Sequence, residues 1–466
     1  MKVYCTIGYP LCQVSVKRPH CRWSFYRKRG GYSPSLILRF VQYFDKVLAY
    51  FYTENIKRRI RSMTVQTTGK PKLLKQINRR LAFDILKHHH SISRPELAVK
   101  TGLSRATIST LVDELLLRGL AEESGFGHSR GGRPPMILRF NSDAAYAVGA
   151  CMHEYDWSLV VVNLDALVLR RHKEHIPLET PEAAVTALAR GLKIITEDIS
   201  TKVLPAIGLG TPGLVDIRDG QIKLAADIGW VDVPFRNMVE EALHMDTYIA
   251  NRSKVGALAE YWYGSRKGVK DLIYVSIGTG VAAGIIHQGG LFVGANSSAG
   301  ELGHLTIIPD GPLCPCGNRG CLQQLVSEDA IANRARQLLR RSSASLLQNT
   351  TGHHPELISA ADVFSAADRG DAVALETLDE TASYIGIALA GLINLFNPEV
   401  IFLGGPVGEG STVLVDKVRE NVQYRAMSYP MSAVQIQRSS LGTDAGAIGA
   451  SVLVLQRANE LFFQKR

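Results

Sequence analysis

The 466-residue sequence has no apolar run of the 18 or so residues that a membrane-spanning helix needs. The longest, Tyr384–Phe396, is 13 residues and reads as a buried helix. Cysteine is scarce: seven in all, which excludes a disulfide framework. No apolar stretch behind a basic start leads to a small-residue cleavage site, so no secretory signal is read. With 46% hydrophobic and 21% charged residues, a chain disordered throughout is also excluded. Length alone suggests about three domains at about 150 residues each.

The net charge of +10 is unevenly spread: +11 on residues 1–62, +7 on residues 63–142 and −8 on residues 143–466. A basic segment beside an acidic body fits a small nucleic-acid module attached to a soluble sensor or enzyme. Residues 1–62 hold 12 of the 34 aromatic residues and three cysteines, without a sustained period of 2 or 3.6 before about Leu36. One reading is a basic aromatic arm that grips DNA phosphates. The preferred expectation is that this extension is not part of the natural protein and that Met63 begins it, because ordinary composition starts there.

From Lys72 a helical pattern appears: Leu73, Leu74, Ile77, Leu81, Ile85 and Leu86 recur at steps of three and four. His88, His89 and His90 read as a solvated helix end rather than a metal site. Ser93 and Glu96 form a capping box with Pro95 in the first turn, and Gly102 permits a sharp turn between two short helices. Ser104 caps the second helix, whose buried stripe is Ile108, Leu111, Val112 and Leu115. Arg105, Ala106, Ser109 and Thr110 lie largely outside that stripe, as the base-reading face of a recognition helix would. With Ser104 and Thr107 they make the candidate DNA contacts. Gly119–Gly125 and Met136–Phe140 read as a two-stranded wing. Between them, Arg130 and Arg133 on a Gly/Pro backbone suit a narrow minor groove, or else a solvated linker.

After Asn141 the strand, helix and turn signals alternate as in an α/β protein. Glycine-rich turns follow strands at Leu204–Asp216, Asp271–Gly284 and Pro398–Pro406. The sharpest cluster is Gly294–His304 followed by Cys314, Cys316 and Cys321. One histidine (His304) and three cysteines suit a closed tetrahedral structural Zn2+ site. Cys151 stands apart and reads as core.

The Ala-Gly-Glu-Leu-Gly-His and Cys-x-Cys-Gly-x-x-Gly-Cys motifs resemble those of the ROK family (repressor, open reading frame, kinase). The resemblance covers about residues 72–455, and the Gly-Gly-Arg-Pro-Pro joint looks like that of its repressor branch. It implies an α/β sugar-kinase/actin-like (ribonuclease H-like) two-lobed body with an N-terminal winged helix-turn-helix domain. The expected division is a basic extension over 1–62, a DNA-binding domain over 63–142 and an effector-binding and oligomerisation domain over 143–466.

The resemblance also implies a bound zinc ion, and homodimers or homotetramers on operator DNA. Asn251, Glu301 and His304 match family residues that contact sugar hydroxyls. Two departures count against catalysis. Cys151–Tyr155 stands where the family's kinases carry an Asp-x-Gly-Gly-Thr phosphate loop. Arg252 stands at their catalytic aspartate, and a guanidinium cannot accept a proton at ordinary pH. Gln323 replaces a usual glutamate. The expected effector site is therefore Asn251, Arg252, Glu301, His304 and Gln323, receiving a sugar, a sugar phosphate or a sugar acid.

The expected function is a cytoplasmic, non-enzymatic repressor of carbohydrate uptake or catabolism genes. The alternatives are a sugar kinase with a regulatory DNA-binding head, or a regulator answering to a protein partner.

Overall fold

A computed structural model describes residues 2–3, 14–15, 71–127, 134–153, 155–177, 180–266, 268–341, 345–350 and 354–463. Arg130, Arg133 and Glu154 lie outside these. The chain divides into two compact units, residues 1–77 and 78–466. In the first, Lys2–Val3 pairs antiparallel with Val14–Ser15.

Helix α1 (Pro71–His89) buries Ala82, Phe83 and Leu86, and its last residues, His88 and His89, are exposed, as is His90. Leu73 and Leu74, which belong to the same periodic pattern, are exposed as well. Strand β1 (Ser91–Ser93) leads into α2 (Arg94–Thr101), whose capping box forms as expected. The Ser93 hydroxyl accepts from the Glu96 amide at 3.3 Å, and Glu96 Oε2 accepts from the Ser93 amide at 3.0 Å. Gly102 takes the left-handed conformation at φ 70° and turns the chain into α3 (Arg105–Leu117). Strands β2 (Ala121–Phe126) and β3 (Met136–Phe140) pair antiparallel, and β1 joins the far edge of β3. Three residues are too few for a period of 2 to show, so β1 left no trace in the sequence pattern. It is anchored by Ile92, which is buried.

One 3-10 turn, Ser142–Ala144, then leads into the body. The first lobe comprises β4 (Tyr146–His153), β5 (Asp156–Asn163), β6 (Val168–His175), α4 (Pro181–Thr196) and β7 (Val203–Thr211). A small hairpin sheet of β8 (Leu214–Asp216), β9 (Gln221–Ala225) and β10 (Trp230–Val233) follows, then α5 (Phe235–Leu243), β11 (Asp246–Asn251) and α6 (Arg252–Tyr263).

The second lobe contributes β12 (Leu272–Ile277), β13 (Val281–His287), β14 (Gly290–Leu291), α7 (Gln323–Val326), α8 (Glu328–Leu339), α9 (Ala360–Asp368) and α10 (Ala372–Phe396). The chain ends through β15 (Val400–Gly404), α11 (Thr412–Gln423), β16 (Gln435–Arg438), α12 (Ala445–Leu455) and α13 (Ala458–Phe463).

The two five-stranded sheets repeat one plan. Their orders are β6-β5-β4-β7-β11 and β14-β13-β12-β15-β16. In each, the first three strands are antiparallel neighbours and the last two join in parallel. The run Tyr384–Phe396 is the C-terminal half of α10. It packs against α8, α9 and α11 and is largely buried, but Ile387 and Leu395 are exposed. No helix among the described residues is long and apolar enough to cross a membrane.

Residues from α1 to β3 share one apolar core with the body, from Ala82 to Leu461. Helix α13 closes that joint. Phe83 meets Phe140 edge-on at 5.7 Å and Phe462 at 6.3 Å. The guanidiniums of Arg79 and Arg118 lie 3.9 and 4.6 Å from the Phe463 ring centre, and Arg118 donates to the Phe462 carbonyl.

Candidate functional site

At its N-terminal end α3 exposes short side chains and one cation, Arg105. Ile108, Leu111, Val112 and Leu115 are buried, whereas Arg105, Ala106, Ser109 and Thr110 are exposed. Several of its polar groups already have local work. Ser104 Oγ accepts from the Thr107 amide at 3.1 Å and lies 2.8 Å from the Thr107 hydroxyl. Arg94 reaches across from α2, donating to Ser109 Oγ at 3.1 Å and Asp113 Oδ1 at 2.8 Å. Arg105 forms no hydrogen bond or ion pair with a described residue.

A second site lies between the two lobes, where a cavity of about 180 Å³ opens. It is smaller than the roughly 300–1,000 Å³ of a pocket for a drug-sized ligand. All five residues expected to meet an effector, Asn251, Arg252, Glu301, His304 and Gln323, line it. They come from both lobes: Asn251 and Arg252 from the β11–α6 junction, the others from the second lobe.

Asn251 is the N-cap of α6. Its Oδ1 accepts from the Ser253 amide at 2.8 Å and hydroxyl at 2.6 Å, and its Nδ2 donates to the Gly213 carbonyl at 2.7 Å. These bonds tie the start of α6 to the β7–β8 turn. Arg252, the first residue of α6, is half-buried and makes no hydrogen bond or ion pair with a described residue.

Glu301 and His304 are placed by the loop after β14. At Gly300, φ is 99° and an added Cβ would lie 1.9 Å from the Ala283 carbonyl oxygen. Only glycine lets this loop press against β13, where the Ala283 amide donates to the Gly300 carbonyl at 2.7 Å. Burial pushes the Glu301 carboxyl up, opposed by the charges of Lys254 and His304. Burial likewise pushes the Lys254 ammonium down, opposed by Glu301.

Sequence reasoning missed three groups here. Lys254 is buried, and its signal was a lone lysine just before the run of small and apolar residues Val255–Ala259. Asp227 lines the cavity from a 3-10 turn after β9, a placement that needs the whole hairpin sheet and leaves no local mark. His153, at the end of β4, has a buried Nε2 without a hydrogen-bond partner. Burial and the charge of Arg252 push its imidazole down to about 4, so it is neutral at neutral pH.

His304, Cys314, Cys316 and Cys321 come together as expected, with their four donor atoms within 4.8 Å of one another. Cys316 and Cys321 sulfurs are 3.8 Å apart, and His304 Nδ1 is 3.7 Å from Cys314 Sγ. Thiolates about 2.3 Å from a tetrahedral ion would be about 3.8 Å from each other, so the set fits a metal ion. Backbone bonds shape the loop: Cys314 N to Asn318 O at 2.8 Å and Ile307 N to Gly320 O at 2.8 Å. Cys151 is in the core, its thiol pushed up to about 12 by burial. His304, Cys314 and Cys316 also line the cavity, so this cluster forms part of its wall.

The family model described as the ROK family matches residues 154–457, which contain both the cavity and the Cys/His cluster. The chain belongs to the ROK family. Among relatives of this ROK chain, the xylose repressor of Caldicellulosiruptor bescii is 31% identical over 392 residues, 83% of this chain and 97% of the relative. Among solved structures, a ROK family transcriptional regulator, a homologue of the E. coli MLC protein, has a TM-score of 0.72 at 25% identity. That match covers 84% of this chain and 98% of the other. A ROK family glucokinase from Streptomyces griseus, solved with glucose and AMPPNP, has a TM-score of 0.62 at 28% identity. It covers 66% of this chain and 99% of the other. The sugar-kinase-like two-lobed fold of the ROK family is thus present.

Proposed function

We propose that this protein is a DNA-binding repressor of carbohydrate uptake or catabolism genes, controlled by a sugar-derived ligand in the inter-lobe cavity. The observation that carries this reading is the span of the similarity to the xylose repressor. Its 392 aligned residues exceed the 324 from 143 to 466, so the alignment runs through the head as well as the body.

The head is read as a winged helix-turn-helix, with α3 as recognition helix and β2 and β3 as wing. Arg105 is assigned to a base edge or phosphate, alongside Ser104, Ala106, Thr107, Ser109 and Thr110. Arg130 and Arg133 are assigned to the minor groove. The working form is a cytoplasmic homodimer or homotetramer, whose paired heads meet two half-sites.

Helix α6 is the proposed route from ligand to DNA. It begins with Arg252 at the cavity and, about 18 Å on by its 12 residues, ends near the head. There Lys87 Nζ lies 5.6 Å from the ring centre of Trp262. A ligand that favours one placement of the lobes would thereby favour one placement of the heads.

Zinc is the metal assigned to His304, Cys314, Cys316 and Cys321. It would supply a fixed anchor for the loop and hold His304 by Nδ1, leaving the other ring edge for the cavity.

The kinase alternative is disfavoured by two features. Arg252 occupies the position of the family's catalytic base. The Gly405 amide, in a glycine turn of the kind that meets phosphate, is bonded at 3.3 Å to the carboxylate of Glu409.

The head assignment is tested by Arg105→Ala. Its affinity for the DNA upstream of its own gene is expected to fall by about 1–3 kcal/mol, the size of one good base contact. Fluorescence anisotropy with specific and scrambled duplexes reads this directly. An unchanged specific affinity would remove α3 from the groove.

A further inference from the structure

This inference rests on the reading of the cavity as a sugar site and sharpens it. We propose that the carbohydrate received here carries an anionic oxygen group, a phosphate ester or a carboxylate, held by the guanidinium of Arg252.

Arg252 offers five N–H donors in a planar fork, a shape that matches two oxygens of one anion. It is half-buried in the cavity wall, yet no described residue accepts from it. Unlike Arg94, Arg218 and Arg334, each of which finds a carboxylate, it has no carboxylate partner among the described residues. Its Nη2 would lie 3.2 Å from a Cβ at Gly280, so it spans from the first lobe to the turn after β12 in the second. An anion bound there touches both lobes at once.

Two surrounding groups bear on the choice. His153, whose buried Nε2 also has no hydrogen-bond partner among the described residues, is kept neutral first by burial and then by the charge of Arg252. Asp227 is the competing acceptor. Its Oδ2 would lie 3.5 Å from the same Gly280 Cβ position, yet it forms no ion pair with Arg252. Among the described residues the guanidinium thus has no partner, although a carboxylate lies nearby. The remaining polar wall, with Glu301, His304 and Gln323, is left for hydroxyls.

The test is calorimetry on the full zinc-loaded chain with matched pairs. These are glucose against glucose 6-phosphate, glucose against glucuronate, and N-acetylglucosamine against its 6-phosphate. The readout is the affinity ratio within each pair. At least one charged member is expected to bind ten-fold or more tightly than its neutral partner, and which pair shows it separates phosphate from carboxylate. In Arg252→Ala the ratio falls toward one, and Arg252→Lys, which keeps the charge without the fork, retains part of it. Neutral sugars that bind as tightly as, or more tightly than, their charged partners overturn the inference but keep the sugar site, and assign Arg252 to closing the cleft against Asp227. Failure of every sugar to bind overturns both.

Discussion

Cys321→Ser is expected to purify almost free of zinc, whereas the unsubstituted chain carries one ion, and to lose sugar binding with it. The reason is the shared wall. Cys321 is buried behind the cavity, while His304, Cys314 and Cys316 face both the cluster and the ligand space. Without one thiolate the set drops to three donors, and the loop that orients His304 loses its anchor. The strands of the loop keep their own bonds, among them Leu322 N to Leu305 O at 2.9 Å, so unfolding stays local. The loss of stability is expected at or above about 3 kcal/mol, the top of the ordinary range, because loss of a metal is among the mechanisms that give large effects. Cys151→Ser is the control: that thiol is not part of the cluster, and its variant keeps the ion. Metal analysis by mass spectrometry decides the matter, and an unsubstituted chain without metal after purification in its absence of chelator would refute the site.

Gly449→Ala is expected to cost at least about 3 kcal/mol, the upper range for overpacking a core. Gly449 lies on α12 where that helix crosses α6, and an added Cβ would sit 1.7 Å from the Val255 carbonyl oxygen. The obstacle is backbone, which cannot step aside without moving α6, the helix that carries Arg252. Operator control should weaken together with stability. Gly391→Ala supplies the contrast. It lies inside α10 with nothing within 4 Å of the new methyl, so it is expected to stabilise by up to about 1 kcal/mol through helix propensity. Urea midpoints of the two variants should move in opposite directions. A shift of the same sign and size for both would mean that the close contact between α6 and α12 does not hold in solution.

Much of this molecule was legible because its signals are local. The Ser93–Glu96 box, the Gly102 turn and the Ser104 cap each depend on residues within four positions, and each forms as expected. The Cys/His cluster spans only residues 304–321, so its spacing already implied convergence. What escaped notice depends on distant pairing. Asp227 enters the cavity only because β8, β9 and β10 fold back beside β11. His153 becomes significant only because β4 ends near the start of α6, about 100 residues later in the chain. Asn251 was expected to serve a ligand, but its amide also braces α6 against Gly213, a role visible only with the turn in place.

The reading as a whole stands on whether a carbohydrate changes the grip of this protein on its own operator. The decisive measurement is fluorescence anisotropy of the full zinc-loaded chain on the DNA upstream of its gene, titrated with neutral sugars, sugar phosphates and sugar acids. Sequence-specific binding that weakens with salt and is released by one of these ligands is the predicted result. Specific binding that no carbohydrate alters would contradict it and transfer control to a protein partner.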